Sequence, residues 1–148
     1  MLDRTLPTTR TQVQAYLPHR DPFLFIDRVT ALTGTTIVAE SYVDPSMDVF
    51  KGHFPDMPIM PGVLLIETVA QAGALIIAMN TETKPGSFTA FSGVETAKFR
   101  RPVYPGDKLV VKVAILRSRG GFYKFEGSAT VEGQTVVELK FAASQMSL

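Results

Sequence analysis

The chain contains no cysteine, so it can form no disulfide framework, offer no thiolate nucleophile and build no cysteine-held zinc site. That absence is compatible with a reducing cytosol, and a cytoplasmic location is the expectation. Histidine is nearly as scarce. His19 and His53 are the only two, 34 positions apart (53 − 19), with no cluster of carboxylates to complete a metal-ligand set. A charge excess is missing as well: 15 Lys and Arg stand against 14 Asp and Glu, a formal net charge of +1. No bulk field therefore argues for a nucleic-acid partner. The opening residues "MLDRTLPTTRTQ" lack the apolar stretch of a secretory leader. One run, Val63–Met79, approaches the length of a membrane span, but it sits at the lower limit and is interrupted by Glu67 and Gln71. A buried core helix, with no membrane partner, fits it better. No repeat, low-complexity tract or linker divides the 148 residues, which reads as a single domain over 1–148.

What is present is an ordinary globular composition, 45% hydrophobic and 20% charged. A short helix is expected around Thr11–Tyr16, halted by Pro18. Phe23–Leu32 and Thr35–Val43 read as two strands hinged at Gly34. Prolines at 45, 55, 58 and 61 make the next stretch a loop, and Gly62–Met79 follows as a helix rich in Leu, Ala, Ile and Met. "TETKPGS" breaks that helix. Four β-branched or aromatic segments then start at Phe88, Lys108, Phe122 and Thr135, separated by Pro105-Gly106, Gly120-Gly121 and Glu132-Gly133. Alternation in "KFEGSATVE" and "TVVELKFAAS" suits a sheet with one wet and one packed face. The helix is apolar on nearly every side, so the sheet is expected to curl around it, an α+β layout. Ala70, Gly73 and Ala74 would let other backbone come close.

Two residues stand out in "GHFPDMPIMPGVLLIETVAQAGALIIAM". His53 opens the proline-rich loop, and Glu67 lies inside the most apolar run of the chain. Burying a carboxylate is costly and should raise its pKa by desolvation. His19 reads by itself as a structural or exposed histidine.

Three blocks, "LPHRDPFLFIDRV", "GHFPDMPIMPGVLLIETVAQAGAL" and "AKFRRPVYPGDKL", closely resemble the signature blocks of the (3R)-hydroxyacyl-acyl carrier protein dehydratases of bacterial type II fatty acid synthesis, and they occur in family order. The resemblance runs from about Leu17 to the C-terminus and implies the hot-dog fold. The first ten residues match nothing in it. Val49 departs from the usual proline before Phe50. Ala90 lies near where some members place an aromatic gate over the acyl tunnel, so gating is not implied.

The implied reaction turns a (3R)-hydroxyacyl thioester into a trans-2-enoyl thioester, without a cofactor beyond the phosphopantetheine that carries the substrate. It needs a base for the α proton, an acid for the leaving hydroxyl and a site for enolate-like charge. An imidazole titrates near neutral pH, which suits His53 as base. A desolvated Glu67 suits the acid. Gly62 starts the helix after Pro61, and its amide would be a donor toward the thioester carbonyl. Gln71, one turn beyond Glu67, would orient the carboxylate. Phe54, Ile59 and Val63 would line the acyl tunnel.

The resemblance also implies an acyl carrier protein partner. That partner is acidic, and Lys98, Arg100, Arg101, Arg117 and Arg119 could receive it. It further implies a homodimer with two shared sites, stacked into a hexamer. Other hot-dog classes remain as alternatives. Thioesterases use a helix carboxylate but lack the His-Phe-Pro block, non-catalytic acyl-thioester binders would not need both His53 and Glu67, and dehydratase/isomerases carry aspartate in place of the helix glutamate.

Overall fold

The structure, a computed structural model, describes residues 5–82 and 86–147. The chain begins with a one-turn helix, α1 (Arg10–Val13), capped by the Thr9 side chain, which accepts from the Gln12 amide. Strands β1 (Arg28–Leu32) and β2 (Thr36–Tyr42) follow, then a 3-10 turn at Asp48–Lys51 and the long helix α2 (Gly62–Asn80). Strands β3 (Ser87–Phe99), β4 (Lys108–Arg119), β5 (Phe122–Val131) and β6 (Gln134–Ser147) complete the fold. All six strands join one antiparallel sheet in the order β1-β2-β4-β5-β6-β3.

Alternation decides which face the sheet turns inward. Leu109, Val111 and Val113 of β4, Phe125 and Ala129 of β5, and Leu139 and Phe141 of β6 are all buried against α2. The helix lies against β2, β4, β5, β3 and β6, so the sheet wraps it as its all-round apolarity requires. Two glycines permit the close approach. A Cβ on Gly127 would come within 2.4 Å of Val69 Cγ1, and one on Gly73 would meet the rings of Phe141 and Phe125 at 3.1 and 3.3 Å. Those two rings stack with centroids 4.8 Å apart, forming the aromatic floor beneath the helix.

The strand expected over Phe23–Leu32 starts only at Arg28. Leu24, Phe25 and Ile26 are all buried rather than alternately so, and Gln71 rather than a neighbouring strand satisfies part of this backbone. The first helix is also shorter than expected, ending at Val13 and followed by turns to Tyr16. The expected hairpin at Gly34 is present, with the Thr33 amide donating to the Thr36 carbonyl at 2.9 Å. Positive φ angles of 59° and 82° at Gly120 and Gly121 close the β4–β5 hairpin. Of the helix-breaking stretch "TETKPGS", residues Thr83–Pro85 lie outside the described residues.

Strand β3 forms one edge of the sheet and is exposed over most of its length, with Phe91, Val94 and Phe99 among the exposed apolar side chains. An edge of 13 residues that presents aromatic groups and free backbone donors is a natural pairing surface.

Candidate active site

The proline-rich loop is held rigidly where His53 sits. The His53 amide donates to the Val49 carbonyl at 3.0 Å, and the His53 carbonyl accepts from the Ile59 amide at 3.0 Å. The Met60 amide then ties the end of the loop to the Val103 carbonyl at 2.7 Å. The imidazole Nδ1 lies 3.0 Å from the Ile59 carbonyl oxygen. A carbonyl only accepts, so Nδ1 carries the proton and Nε2 presents a lone pair, the tautomer a base requires. The ring stacks on Phe54 with centroids 4.2 Å apart, and the intervening His53–Phe54 peptide is cis.

Gly62 opens α2 behind Pro61, whose carbonyl accepts from Leu64 and Leu65 at 3.0 and 3.2 Å. The Gly62 amide, the first of α2, has no hydrogen-bond partner among the described residues and has the helix dipole behind it. A second reason for glycine appears here. A Cβ at this position would lie 2.8 Å from Cε1 of the Phe99 ring, so Phe99 packs directly over the helix start.

Glu67 is half-buried on α2, and its Oε2 is enclosed with no hydrogen-bond partner. Desolvation by burial raises its pKa from 4.5 to about 7. The carboxyl faces a cavity of about 250 Å³ walled chiefly by Ala70, Ala74, Phe91, Phe125 and Phe141. An acid that keeps its proton near neutral pH, beside an apolar cavity, is equipped to protonate a leaving group.

The structure brings together some of the residues singled out from the sequence and leaves others apart. Glu67 and Gln71 share the cavity, but His53, Gly62, Phe54, Ile59 and Val63 of the same chain do not line it. Phe54 is 50% exposed and Val63 71% exposed, on the surface that carries the unpaired end of the helix. Gln71 corrects one expectation. Its Oε1 accepts from the Phe25 amide and its Nε2 donates to the Phe23 carbonyl, both at 2.9 Å. It therefore fastens the helix to the 23–25 segment rather than orienting Glu67, because two unpaired backbone groups make a stronger claim on the buried amide.

Among the basic candidates, Arg100 pairs with Glu138 at 3.1 Å, whereas Lys98, Arg101, Arg117 and Arg119 are exposed without an ion pair among the described residues. Sequence reasoning missed His19, which lines the same cavity as Glu67 and has a buried Nδ1 without a partner. Nothing in a lone histidine before an arginine signals that placement.

The FabA-like domain matches residues 17–140. The 3-hydroxyacyl-[acyl-carrier-protein] dehydratase FabZ of Oleidesulfovibrio alaskensis is 44% identical over 138 residues, covering 92% of this chain and 90% of that protein. The FabZ of Acinetobacter baylyi is 41% identical over 143 residues, covering 95% and 97%. A FabZ of Neisseria meningitidis is 45% identical over 139 residues, covering 93% of each. Among solved structures, the dehydratase heterocomplex ApeI:P from Xenorhabdus doucetiae superposes with a TM-score of 0.76 at 20% identity, over 91% of each chain. A mutant thioesterase PA1618 from Pseudomonas aeruginosa does so with 0.68 at 14% identity, over 93% and 94%. These last two show that the fold is the hot-dog fold; the identity and coverage of the first three show that the chain belongs to the 3-hydroxyacyl-[acyl-carrier-protein] dehydratase family.

Proposed function

We propose that this enzyme dehydrates (3R)-hydroxyacyl thioesters held on acyl carrier protein, with His53 as base, Glu67 as acid and the Gly62 amide at the thioester carbonyl. His53 Nε2 removes the α proton, and the charge that builds on the carbonyl oxygen meets the unpaired Gly62 amide. The electron pair forms the C2–C3 double bond as the C3–O bond breaks. The departing hydroxyl takes the proton of Glu67, held by the raised pKa, and leaves as water. A proton passing from the imidazolium to the carboxylate, directly or through solvent, restores both groups. Side chains handle every proton, so the scheme calls on no cofactor.

The observation that carries the reading is the isolation of the two groups in one chain. Glu67 faces a cavity that His53 does not reach, while the half-exposed surface at Phe54 and Val63 and the open β3 edge lie unpaired. Pairing two copies through β3 continues the sheet and brings the loop of one chain against the helix of the other. His53 of one protomer then serves Glu67 of its partner, and Phe54, Ile59 and Val63 complete the acyl tunnel from across the interface. The exposed Lys98 and Arg101 offer a landing surface for an acidic carrier protein in a cytoplasmic setting.

The test is complementation. His53→Ala and Glu67→Ala proteins, each inactive, are mixed under conditions of subunit exchange, and hydration of a crotonyl thioester is followed. Part of the activity is expected to return, because one site in each mixed dimer holds both groups. Exchange without recovery would place both groups in one chain and refute the shared site.

A further inference from the structure

The cavity beside Glu67 does not end in a closed wall. A second, smaller cavity of about 30 Å³ lies further along α2, reaching Ile77 and Ala78. The two share His19, Ala74 and Phe88 in their linings, together with Pro18 and Thr89. Between Glu67 and Ala74 the helix rises roughly 10 Å, so this boundary stands well beyond the reacting carbons. Ala74 adds almost nothing to it. Its bulk comes from the His19 imidazole and the Phe88 ring.

His19 is an odd choice for such a place. Its Nδ1 is buried without a hydrogen-bond partner. Burial, assisted by neighbouring Arg20, pushes its pKa down and so favours the neutral ring. The boundary resists a long chain by volume, the ring standing where the two cavities meet. No step of the dehydration uses this histidine.

We infer that His19, with Ala74 opposite, is the specificity-determining partition that sets how long an acyl chain the enzyme accepts. This inference rests on the reading of the Glu67 cavity as the acyl site. Chains that end within the cavity are turned over freely, and longer ones must push past His19.

The experiment measures kcat/KM for 3-hydroxyacyl thioesters of graded length on wild type, His19→Ala and Ala74→Leu, with melting curves to show that each variant is folded. His19→Ala joins the two cavities and is expected to raise kcat/KM for the longest chains about tenfold relative to a four-carbon substrate, the effect of burying one or two further methylenes. The gain should appear mainly in KM. Ala74→Leu narrows the same passage from the other side and should depress long chains more than the four-carbon one. Turnover of the four-carbon substrate reports on His53 and Glu67 alone. If it is normal in both folded variants and the length profile does not move, the partition is wrong and the catalytic reading stands. If folded His19→Ala loses four-carbon turnover as well, His19 belongs to the chemistry and the partition is likewise overturned. Should all three proteins fail on every length, the acyl-site reading has failed and the partition falls with it.

Discussion

Replacing Glu67 with glutamine separates the burden that the carboxyl places on the fold from its work in the reaction. Burial raises its pKa from 4.5 to about 7, a gap of about 2.5 units, which at about 1.36 kcal/mol per unit would be about 3.4 kcal/mol. The group is only half-buried, and solvent screening reduces this to about 1–2 kcal/mol. The sign follows from linkage. The folded state holds the proton more tightly than the unfolded state, so the fold loses stability as pH rises from 4.5 to 7 and carries the full cost above 7. Glutamine keeps the shape and cannot ionise. Glu67→Gln should therefore melt about 3–6 °C above wild type at pH 8, using about 3 °C per kcal/mol for a chain of this size, and at nearly the same temperature at pH 4.5. Activity should fall about 10²–10⁴-fold at both pH values. Melting curves at the two pH values with parallel rate measurements check it. A difference in melting temperature that is the same at both pH values, or a variant less stable than wild type at pH 8, would refute the desolvation argument.

Three other substitutions probe the remaining parts. His53→Ala should lower crotonyl thioester hydration about 10²–10⁴-fold with a melting temperature near that of wild type, since the ring's hydrogen bond among the described residues is to its own loop; retained hydration would remove His53 from the mechanism. Gly62→Ala drives a methyl into the Phe99 ring, so stability should drop by about 1 kcal/mol and kcat should fall as the helix start is displaced, and Phe99→Leu added to it, which relieves the clash while the amide is kept, should recover both the stability and most of the rate if the amide is the functional group. Gly127→Ala forces Val69 aside from a 2.4 Å overlap and should cost about 1–3 kcal/mol in urea denaturation.

Much of the sheet could be read from local pattern. The segment starting at Lys108 was bounded by Pro105-Gly106 and Gly120-Gly121, turn chemistry that leaves little freedom, and β4 begins at that residue and ends just before the glycine pair. The long helix began at Gly62 as expected because Pro61 fixes its entry. The 23–27 segment was misread because apolar, β-prone residues look alike whether a strand or a side-chain amide satisfies their backbone, and Gln71, 46 residues away from Phe25, is invisible to a local window. The same limit applies to the site. The raised pKa of Glu67 was legible because burial follows from the apolar run around it. The placement of His19 was not, since the residues that share its cavity come from α2, β3, β5 and β6.

The missing side chain at Gly127 reaches further than packing. Val69 enters that gap as a peg enters a socket, and two residues earlier on the same helix stands Glu67, about 200° around the axis at 100° per residue. The socket in β5 thereby fixes the rotation of α2, and with it the direction in which the acid is aimed. Catalytic alignment tolerates little error, a displacement of about 1 Å being enough to cost about a hundredfold in rate. A position that touches no substrate and bears no functional group thus calibrates the aim of the reaction, and a folded Gly127 variant with an otherwise intact active site would be expected to turn over slowly for want of angle rather than of chemistry.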